Sequence, residues 1–246
     1  MNDYTRGSDH PTFSIIIPVF HEPDSINPLI HSLYQQHVHK QCEVIVVDGS
    51  PTRDTIQVIN TEQVISLVSG AGRARQMNAG AAVARGEILV FLHADTRLPD
   101  NAFSSIRTLL ENNQYVGGAF DLGIGSDRLV FKVIAAVASC RSRLTRIPYG
   151  DQAHFLRKDY FAEIGGYREV PFMEDVELMH RIKKRGDKIC ILTDKVCTAQ
   201  RRWEEEGILY CTLRNWIIIL LYFLGVSPYT LQQYYQSHVR ASKKAF

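Results

Sequence analysis

The sequence predicts an α/β fold in which helices flank a mostly parallel sheet. Apolar, β-branched runs at 13–20, 43–47, 64–68 and 87–92 alternate with segments of helical periodicity. This alternation is typical of right-handed βαβ units built around a parallel sheet.

A length of 246 residues, with 45% hydrophobic and 22% charged residues, suits one such domain with a helical appendage.

The predicted helices follow from apolar spacing and from glycine. Apolar residues recur every three or four positions between residues 26 and 33 and predict a helix that ends near residue 36. The alanine-rich segment 70–85 predicts a second helix, which Gly86 ends. Beyond residue 99, the pattern predicts helices up to about 112 and at 129–144, 160–165 and 174–185, with strands at 116–122 and 188–192.

The chain divides into three predicted parts. Residues 1–12 are expected to be a flexible N-terminus, 13–203 the main domain and 204–246 a C-terminal helical appendage. The appendage contains a nearly continuous apolar stretch from Trp216 to Val226, too short to span a bilayer, which needs about 20 residues. This stretch is expected to pack in the core, to dimerise or to lie on a membrane surface.

Charge and cysteine usage limit the partners and the compartment. A net charge of +2 provides no strong field for nucleic acid. The five cysteines are far apart and form no Cys-x-x-Cys pair, so neither a disulfide framework nor a zinc site is expected. The first ten residues lack a secretory apolar region. We therefore expect a cytoplasmic protein, with peripheral contact at the inner face of the membrane as a hypothesis based on the apolar stretch and the basic tail.

Acidic residues follow three of the predicted strands: Glu22, Asp48 and Asp95. Because the carboxyl ends of parallel strands share one edge of the sheet, we expect these residues to converge on a ligand crevice. Asp48 precedes Gly49, where backbone can approach a ligand closely, and its carboxylate can accept hydrogen bonds from a base or a ribose. An Asp-Gly-Ser sequence equally fits a structural turn and helix cap.

The segment His93-Ala-Asp95 has the spacing of a metal site. Residues i and i+2 at the end of a strand point the same way, so His93 and Asp95 can hold one ion. A carboxylate with an imidazole suits Mn²⁺ or Mg²⁺, and such a cation would neutralise a diphosphate leaving group. The alternative is that Asp95 caps the helix predicted after residue 99.

Glu174 and Asp175 open the predicted helix 174–185. The helix dipole favours ionised carboxylates there, so capping alone explains them. A carboxylate beside a metal-diphosphate crevice could instead deprotonate an acceptor hydroxyl. Further candidates are arginines able to bind diphosphate and a tryptophan able to stack on a sugar, namely Arg73, Arg75, Arg201, Arg202 and Trp203.

Taken in order, the motifs resemble those of family 2 glycosyltransferases of the GT-A fold. They are Ser14-Ile-Ile-Ile-Pro-Val-Phe-His-Glu22, Val46-Val-Asp-Gly-Ser50, Arg75-Gln-Met-Asn-Ala-Gly80, Gly86-Glu-Ile-Leu-Val-Phe-Leu-His-Ala-Asp95, Gly165-Gly-Tyr167 and Glu174-Asp175. Tyr149-Gly-Asp-Gln152 and Arg201-Arg-Trp203 resemble the small bacterial transferases of the radical-SAM/selenodomain-associated type. The resemblance covers roughly residues 13 to 203, so it implies that this part is the catalytic domain.

The resemblance implies a role for each matching residue. Asp175 would be the general base of an inverting displacement, and Asp95, with His93, would bind the metal. The nucleotide-binding set would be Pro18, Glu22, Asp48, Gly49, Arg75, Asn78 and Gly80. The set facing sugar, diphosphate or acceptor would be Gly150, Asp151, Gln152, Glu174, Arg202 and Trp203. The implied partners are a nucleotide-diphosphate sugar and a hydroxyl acceptor. The apolar stretch of the appendage suggests the hypothesis that this acceptor is lipid-linked or otherwise hydrophobic.

Two departures from the family pattern limit what the resemblance implies. The usual Asp-x-Asp is His93-Ala-Asp95 here, and Ala199 stands where the family motif Gln-x-x-Arg-Trp has glutamine. The second departure, with the lack of a spanning stretch, favours single transfer over processive polymer synthesis. Three alternatives stay open: a phosphatase with an aspartyl nucleophile, a nucleotidyltransferase and a non-catalytic sugar-nucleotide binding module.

Overall fold

A computed structural model describes residues 11–36 and 41–243, so most of the predicted flexible N-terminus lies outside the described residues. The strands are β1 (Phe13–Val19), β2 (Cys42–Asp48), β3 (Val64–Val68), β4 (Ile88–Phe91), β5 (Thr96–Arg97), β6 (Tyr115–Ile124), β7 (His154–Arg157) and β8 (Lys188–Thr198). The helices are α1 (Pro23–Gln35), α2 (Asp54–Gln57), α3 (Arg73–Val83), α4 (Ala102–Glu111), α5 (Leu129–Thr145), α6 (Lys158–Glu163), α7 (Glu174–Arg185), α8 (Arg201–Glu206), α9 (Ile208–Phe223) and α10 (Pro228–Lys243).

The eight strands form one sheet in the order β3-β2-β1-β4-β7-β6-β8-β5. The first four are parallel to one another, as are β6 and β8, whereas β7 and β5 run antiparallel to their neighbours. The predicted α/β class with a mostly parallel sheet is confirmed. The two short antiparallel strands are additions, and β8 extends six residues beyond the predicted strand 188–192 because it stays paired with β6 past a bulge at Phe120 and Asp121.

The parallel register brings the predicted acidic segments to one edge. Val19 is level with Asp48, and Asp48 is level with Val68, so β1, β2 and β3 end together. The amide of Leu92 donates to the carbonyl of Ile16, which places the residues after β4 beside the end of β1. Consequently, the loops that follow these strands surround a common space.

Apolar clusters on the two sheet faces fix the helices. One cluster joins alternate residues of β1 to α1 and α4, and the other joins the opposite side chains of β1 and β2 to α3 and α7. Gly80 allows the close approach of α3, because a Cβ atom there would stand 2.5 Å from Cγ2 of Ile16. The spacing of α3 from the sheet therefore depends on glycine at this position.

The C-terminal helices pack onto the domain. Ile218 of α9 and Leu231 of α10 are buried in the cluster that also contains Met173 and Val176 at the start of α7. Buried Arg214 pairs with Glu206 at 2.5 Å and joins α9 to α8. The predicted domain limit at residue 203 therefore falls within a continuous packed structure. None of the helices within the described ranges is long and apolar enough to cross a membrane.

Candidate active site

A cavity of about 550 Å³ opens where β1 and β4 end. Segments from both halves of the sheet and from the C-terminal helices form its walls. The predicted site residues that line it are Pro18, Glu22, His93, Asp95, Gly150, Asp151, Glu174, Asp175 and Trp203. The structure thus brings the predicted metal, base and acceptor residues into one space.

Asp175 is held at the cavity wall by the segment that faces it. The amide of Gly150 donates to Oδ2 of Asp175 at 2.7 Å, and Gly150 begins a single 3₁₀ turn. A Cβ atom at Gly150 would stand 3.4 Å from that carboxylate oxygen and 2.9 Å from Nε2 of His93. Position 150 therefore sets the separation between the predicted base and the predicted metal ligand, and only glycine fits without a shift of the neighbouring side chains.

Glu174 is the more deeply placed member of the acidic pair. It is 7% exposed, and burial, followed by the charge of Asp175, raises the pKa of its carboxyl to about 7, while Arg73 acts in the opposite direction. Met173, in a left-handed conformation with φ of 62°, turns the chain into α7 so that both carboxyls lie at the cavity.

Arg141 is a half-buried cation that the sequence did not reveal. Its guanidinium lies 3.2 Å from the ring centroid of Tyr149, and it donates to Oε1 of Gln152 at 3.5 Å. Burial lowers the pKa of Arg141 to about 10, with Asp151 and Asp175 acting against that shift, so it stays charged at neutral pH. An arginine near the end of a mostly apolar helix was the available signal, but its contacts depend on the fold.

Gln152 is a structural member of the same turn. It is fully buried, its Nε2 donates to the carbonyl of Phe120 at 2.8 Å, and its Oε1 accepts from the hydroxyl of Ser142 at 2.5 Å. These bonds anchor the 149–152 segment to β6 and α5. The cavity walls do not include Gln152 among the described residues, so its predicted contact with sugar or acceptor stays a prediction.

The residues that were predicted to bind the nucleoside divide into two groups: some line the cavity and others do not. Pro18 and Glu22 line the cavity, where Oε1 of Glu22 lies 3.8 Å from Nη2 of Arg201. Asp48 is fully buried and accepts hydrogen bonds from the amides of Ser50 at 2.7 Å and Ile56 at 3.3 Å. Its observed contacts are those of the turn-and-cap alternative.

The residues of α3 likewise divide into those that line the cavity and those that do not. Arg75 pairs with Glu169 at 2.9 Å, and the side-chain amide of Asn78 exchanges hydrogen bonds of 2.8 and 2.9 Å with the backbone of Tyr167. Among the described residues, it is Arg73 and Gln76 of this helix that line the cavity. The nucleotide-binding roles of Arg75, Asn78, Gly49 and Gly80 stay predictions.

Gln76 was missed in the sequence because its role depends on two strand ends. Its Nε2 donates to the carbonyls of Val19 at 2.6 Å and Val47 at 2.8 Å. A Cβ atom at Gly49 would stand 2.8 Å from the Gln76 side chain, so the glycine leaves room for this bridge. Gln76 therefore fixes the loops after β1 and β2 at the cavity floor.

Asp95 and His93 present a limited set of metal donors. The Asp95 side chain is exposed at the cavity and accepts from the hydroxyl of Thr96 at 3.3 Å. Across residues 11–36 and 41–243, no group of three or more His, Cys, Asp and Glu side chains is placed to hold a metal. One carboxylate and one imidazole nevertheless fit a cation that takes further oxygens from a diphosphate and from water.

Comparison with known proteins decides the family. Residues 14–172 match the family model described as glycosyl transferase family 2, which is more than half of the chain. The chain belongs to this family. Two relatives from Mycobacterium tuberculosis strains, the uncharacterized glycosyltransferases MT1564 and Rv1514c, are each 27% identical over 218 residues, covering 83% of this chain and 82% of theirs.

Solved structures share the GT-A fold of this glycosyltransferase. A mannosyltransferase from Pyrobaculum calidifontis, PcManGT, in complex with GDP-Man and Mn²⁺, superposes with a TM-score of 0.62 at 18% identity and covers 85% of this chain. Staphylococcus aureus TarS 1-349 gives a TM-score of 0.59 at 19% identity and covers 77%. This chain spans 61% and 60% of the lengths of those two chains. The predicted family, fold and transferase class are confirmed.

The C-terminal part of the glycosyltransferase completes the cavity. Ile218 and Ile219 of α9 and Tyr235 of α10 line it, together with Trp203, whose ring packs edge-on against Phe131 at 6.1 Å. The amide of residue 199 donates to the carbonyl of Asp95, so the segment leading to α8 is tied to the loop of the predicted metal residues. The side chain of Arg202, predicted to face diphosphate or acceptor, lies outside the described part of the structure.

Proposed function

We propose that this enzyme is an inverting glycosyltransferase that moves a sugar from a nucleotide-diphosphate donor to a hydroxyl acceptor in a single transfer. The observation that carries the proposal is the position of the Asp175 carboxylate, fixed by the Gly150 amide in the cavity that Asp95 also lines. An inverting displacement needs one base opposite the leaving group, and this arrangement supplies a carboxylate apart from the predicted metal residue.

The donor would bind with its diphosphate beside Asp95. Arg73 and Arg201, both exposed at the cavity, offer positive charge for the phosphates, and Pro18 and Glu22 lie where the nucleoside would enter. Asp95, with His93, would hold Mn²⁺ or Mg²⁺, which when bound would neutralise the departing nucleoside diphosphate. The GDP-Man and Mn²⁺ named for the mannosyltransferase of similar fold support this donor class and cation.

The acceptor would react on the side of Asp175. Its carboxylate takes the hydroxyl proton as the oxygen forms a bond to the anomeric carbon, while the bond from that carbon to the diphosphate oxygen breaks. Because attack and departure occur on opposite faces of the sugar, the anomeric configuration inverts. Half-buried Arg141 holds the Tyr149–Gln152 segment that donates to Asp175, so it would position the base without touching substrate.

The apolar wall of the cavity favours a hydrophobic or lipid-linked acceptor. Ile218, Ile219 and Phe172 lie there with Asp175, so an alkyl or isoprenoid chain could be shielded from water beside the base.

We propose that the enzyme acts in the cytoplasm with peripheral contact at the inner face of the membrane. The departure at Ala199 from the processive-synthase motif supports single transfer.

A screen of nucleotide sugars by thermal shift, with and without Mn²⁺, tests the donor proposal. A matching donor raises the melting temperature with increasing saturation, and the rise depends on Mn²⁺ in the wild type but is reduced in Asp95→Ala. Incubation of that donor should release nucleoside diphosphate. Release of inorganic diphosphate would identify a nucleotidyltransferase instead, and binding without any product would identify a non-catalytic module.

A further inference from the structure

The outward side of α9 is apolar although it faces solvent. We define the outer face of α9 by its exposed residues, which are Leu209, Leu213, Trp216, Ile217, Leu220, Phe223 and, at the helix end, Leu224. Trp216 is 62% exposed and Leu220 is 60% exposed. A surface helix usually places polar residues on this side, and a continuous apolar patch of this kind marks a contact with a partner or a membrane.

The opposite side of the same helix forms part of the active site. Cys211, Arg214 and Ile218 are buried there, and Ile218 lines the cavity together with Asp175. Thus α9 places Ile218 at the proposed acceptor position on one side and a row of apolar side chains at the protein surface on the other. A partner bound to the outer face of α9 would lie one helix diameter, about 10 Å, from the acceptor wall.

The charges near the C-terminal end of α9 indicate which partner fits. The Phe223 ring lies 5.9 Å from the His180 ring of α7, and exposed Lys183 and Lys184 follow one turn later on that helix. Exposed Arg168 pairs with Glu177 at 3.3 Å, so Lys183 and Lys184 provide the excess positive charge at this end of α9. Cations beside exposed aromatic and aliphatic side chains match the anionic headgroup layer and acyl boundary of a bilayer.

Helix α5 carries a second surface of the same chemistry. Leu129, Val133 and Val137 are exposed at a spacing of four residues, with Arg128 and Lys132 exposed among them. On another side of α5, the Phe131 ring contacts Trp203 at the cavity. Both helices that expose apolar rows therefore also contact or form the walls of the active site.

We infer that the outer face of α9 docks on an anionic phospholipid bilayer. This inference rests on the proposed function, because it gives the proposed lipid-linked acceptor a short path from the membrane surface to Asp175. Apolar side chains would enter the acyl boundary, while Arg168, Lys183 and Lys184 contact the headgroups. The bilayer, rather than a second copy of the chain, is the occupant that these flanking cations complement.

Tryptophan fluorescence tests the docking directly. The chain has two tryptophans, so Trp203→Phe leaves Trp216 of the outer face as the sole reporter. Vesicles of equimolar phosphatidylglycerol and phosphatidylcholine should shift its emission to the blue, with a smaller shift for phosphatidylcholine alone and a loss of binding at high salt. No shift with the anionic vesicles would overturn the inference. A lipid-independent shift that follows protein concentration would also overturn it, since a second copy would then cover the face.

Matched variants locate the contact. Leu213→Ser with Leu220→Ser should weaken vesicle binding at least tenfold, whereas Val68→Ser with Val83→Ser, on exposed apolar residues of β3 and α3, should not. Each of Lys183→Gln and Lys184→Gln should weaken binding about fivefold. Equal binding by the two serine pairs, with unchanged melting curves, would contradict the inference.

Donor turnover separates this inference from the proposed function. An enzyme that releases nucleoside diphosphate but ignores vesicles would overturn the docking alone. An enzyme that binds vesicles through the outer face of α9 but releases no nucleoside diphosphate from any donor would support the docking and overturn the proposed function.

Discussion

Two regions of the cavity rim use carboxylates in different ways. After β2, Asp48 is fully buried, and two backbone amides occupy its carboxylate. At the start of α7, Asp175 also accepts two backbone amides, from Gly150 and Val176, but it is only half-buried and lies at the cavity wall, with buried Glu174 beside it. The difference in exposure teaches that the residue after a strand can shape the crevice, while the proposed base comes from a later segment folded over it.

The same contrast appears among the cations. Arg75 forms an exposed ion pair with Glu169, whereas Arg73, two residues earlier, faces the cavity. Arg141 is half-buried and packs on Tyr149, next to the Gly150 amide that holds Asp175. Substitutions in the two regions should therefore separate loss of chemistry from loss of stability.

The largest expected effect is on the base. Asp175→Asn should reduce the transfer rate about 10³-fold, because the amide cannot accept the acceptor proton. Donor affinity and the free energy of unfolding should change little, as measured by titration and by denaturant unfolding. Asp127→Asn, on an exposed loop carboxylate, is the control and should transfer at the wild-type rate. Turnover by Asp175→Asn within tenfold of wild type would refute the assignment of the base.

The next effect concerns the spacing around the base. Gly150→Ala should reduce transfer about 10²-fold, because the new methyl group would displace His93 and disturb the Asp175 carboxylate. Gly125→Ala is the matched control, since a Cβ atom there would make ordinary contacts of 3.5 and 3.6 Å. Equal kcat values for the two variants would show that position 150 does not set the catalytic geometry.

Two arginines of α3, Arg73 and Arg75, should differ in their effect on donor binding. Arg73→Ala should weaken donor binding about tenfold, since it removes a charge-assisted contact with phosphate. Arg75→Ala should change the dissociation constant less than about twofold, because an exposed ion pair contributes little. Isothermal titration with the donor found in the screen measures both. A larger loss for Arg75→Ala would restore the nucleotide-binding role that the family resemblance implies for it.

At Asp48, after β2, we expect a substitution to change the free energy of unfolding rather than the rate of transfer. Asp48→Ala should lower the free energy of unfolding by about 1–3 kcal/mol, because the amides of Ser50 and Ile56 lose their buried acceptor. Asp127→Ala, on an exposed loop, should stay within about 0.5 kcal/mol of wild type in the same urea titration. If Asp48→Ala were stable but bound donor poorly, Asp48 would belong to the nucleotide site.

The last expected effect is the pH dependence of stability that arises from Glu174. Its raised pKa means that, between the unfolded value and about 7, the folded state keeps a proton that the unfolded state has lost. Stability from this group is therefore present at low pH and is lost as the pH rises from about 4.5 towards 7. Glu174→Gln should flatten this part of the stability profile in denaturant titrations between pH 5 and pH 8. Parallel profiles for the variant and the wild type would contradict the raised pKa.

Local patterns predicted the elements that repeat along the chain. The parallel strands β1 to β4 were visible as apolar runs, and the helices α1, α4, α5 and α7 as periodic apolar residues, and the motif order indicated the family. The bounds of α9 and α10 were not predicted beyond a helical appendage at 204–246. Strands β5 and β7 were missed because each has at most four residues and is defined by pairing with distant strands. A short segment carries too little periodicity to predict such pairing.

The site was predicted as a set of residue types rather than as contacts. Of the three acidic residues predicted to converge after parallel strands, Glu22 and Asp95 line the cavity, because these strands end at one edge, whereas Asp48 is not among its lining residues. Asp175 reaches the cavity from the start of α7. Sequence could not show that the amides around Asp48 occupy its carboxylate, that Gln76 bridges two strand ends, or that α9 forms one wall of the cavity. Each of those contacts depends on how separate segments pack.

The central claim is that the donor binds in the same cavity that Asp175 lines. The most direct test is a crystal structure of Asp175→Asn with the matched donor and Mn²⁺. We predict the diphosphate beside Asp95, with the anomeric carbon of the sugar facing residue 175 and the Gly150 segment. A donor bound outside this cavity, for example in the depression lined by Arg85, Arg107 and Arg157 at the opposite edge of the sheet, would contradict the account.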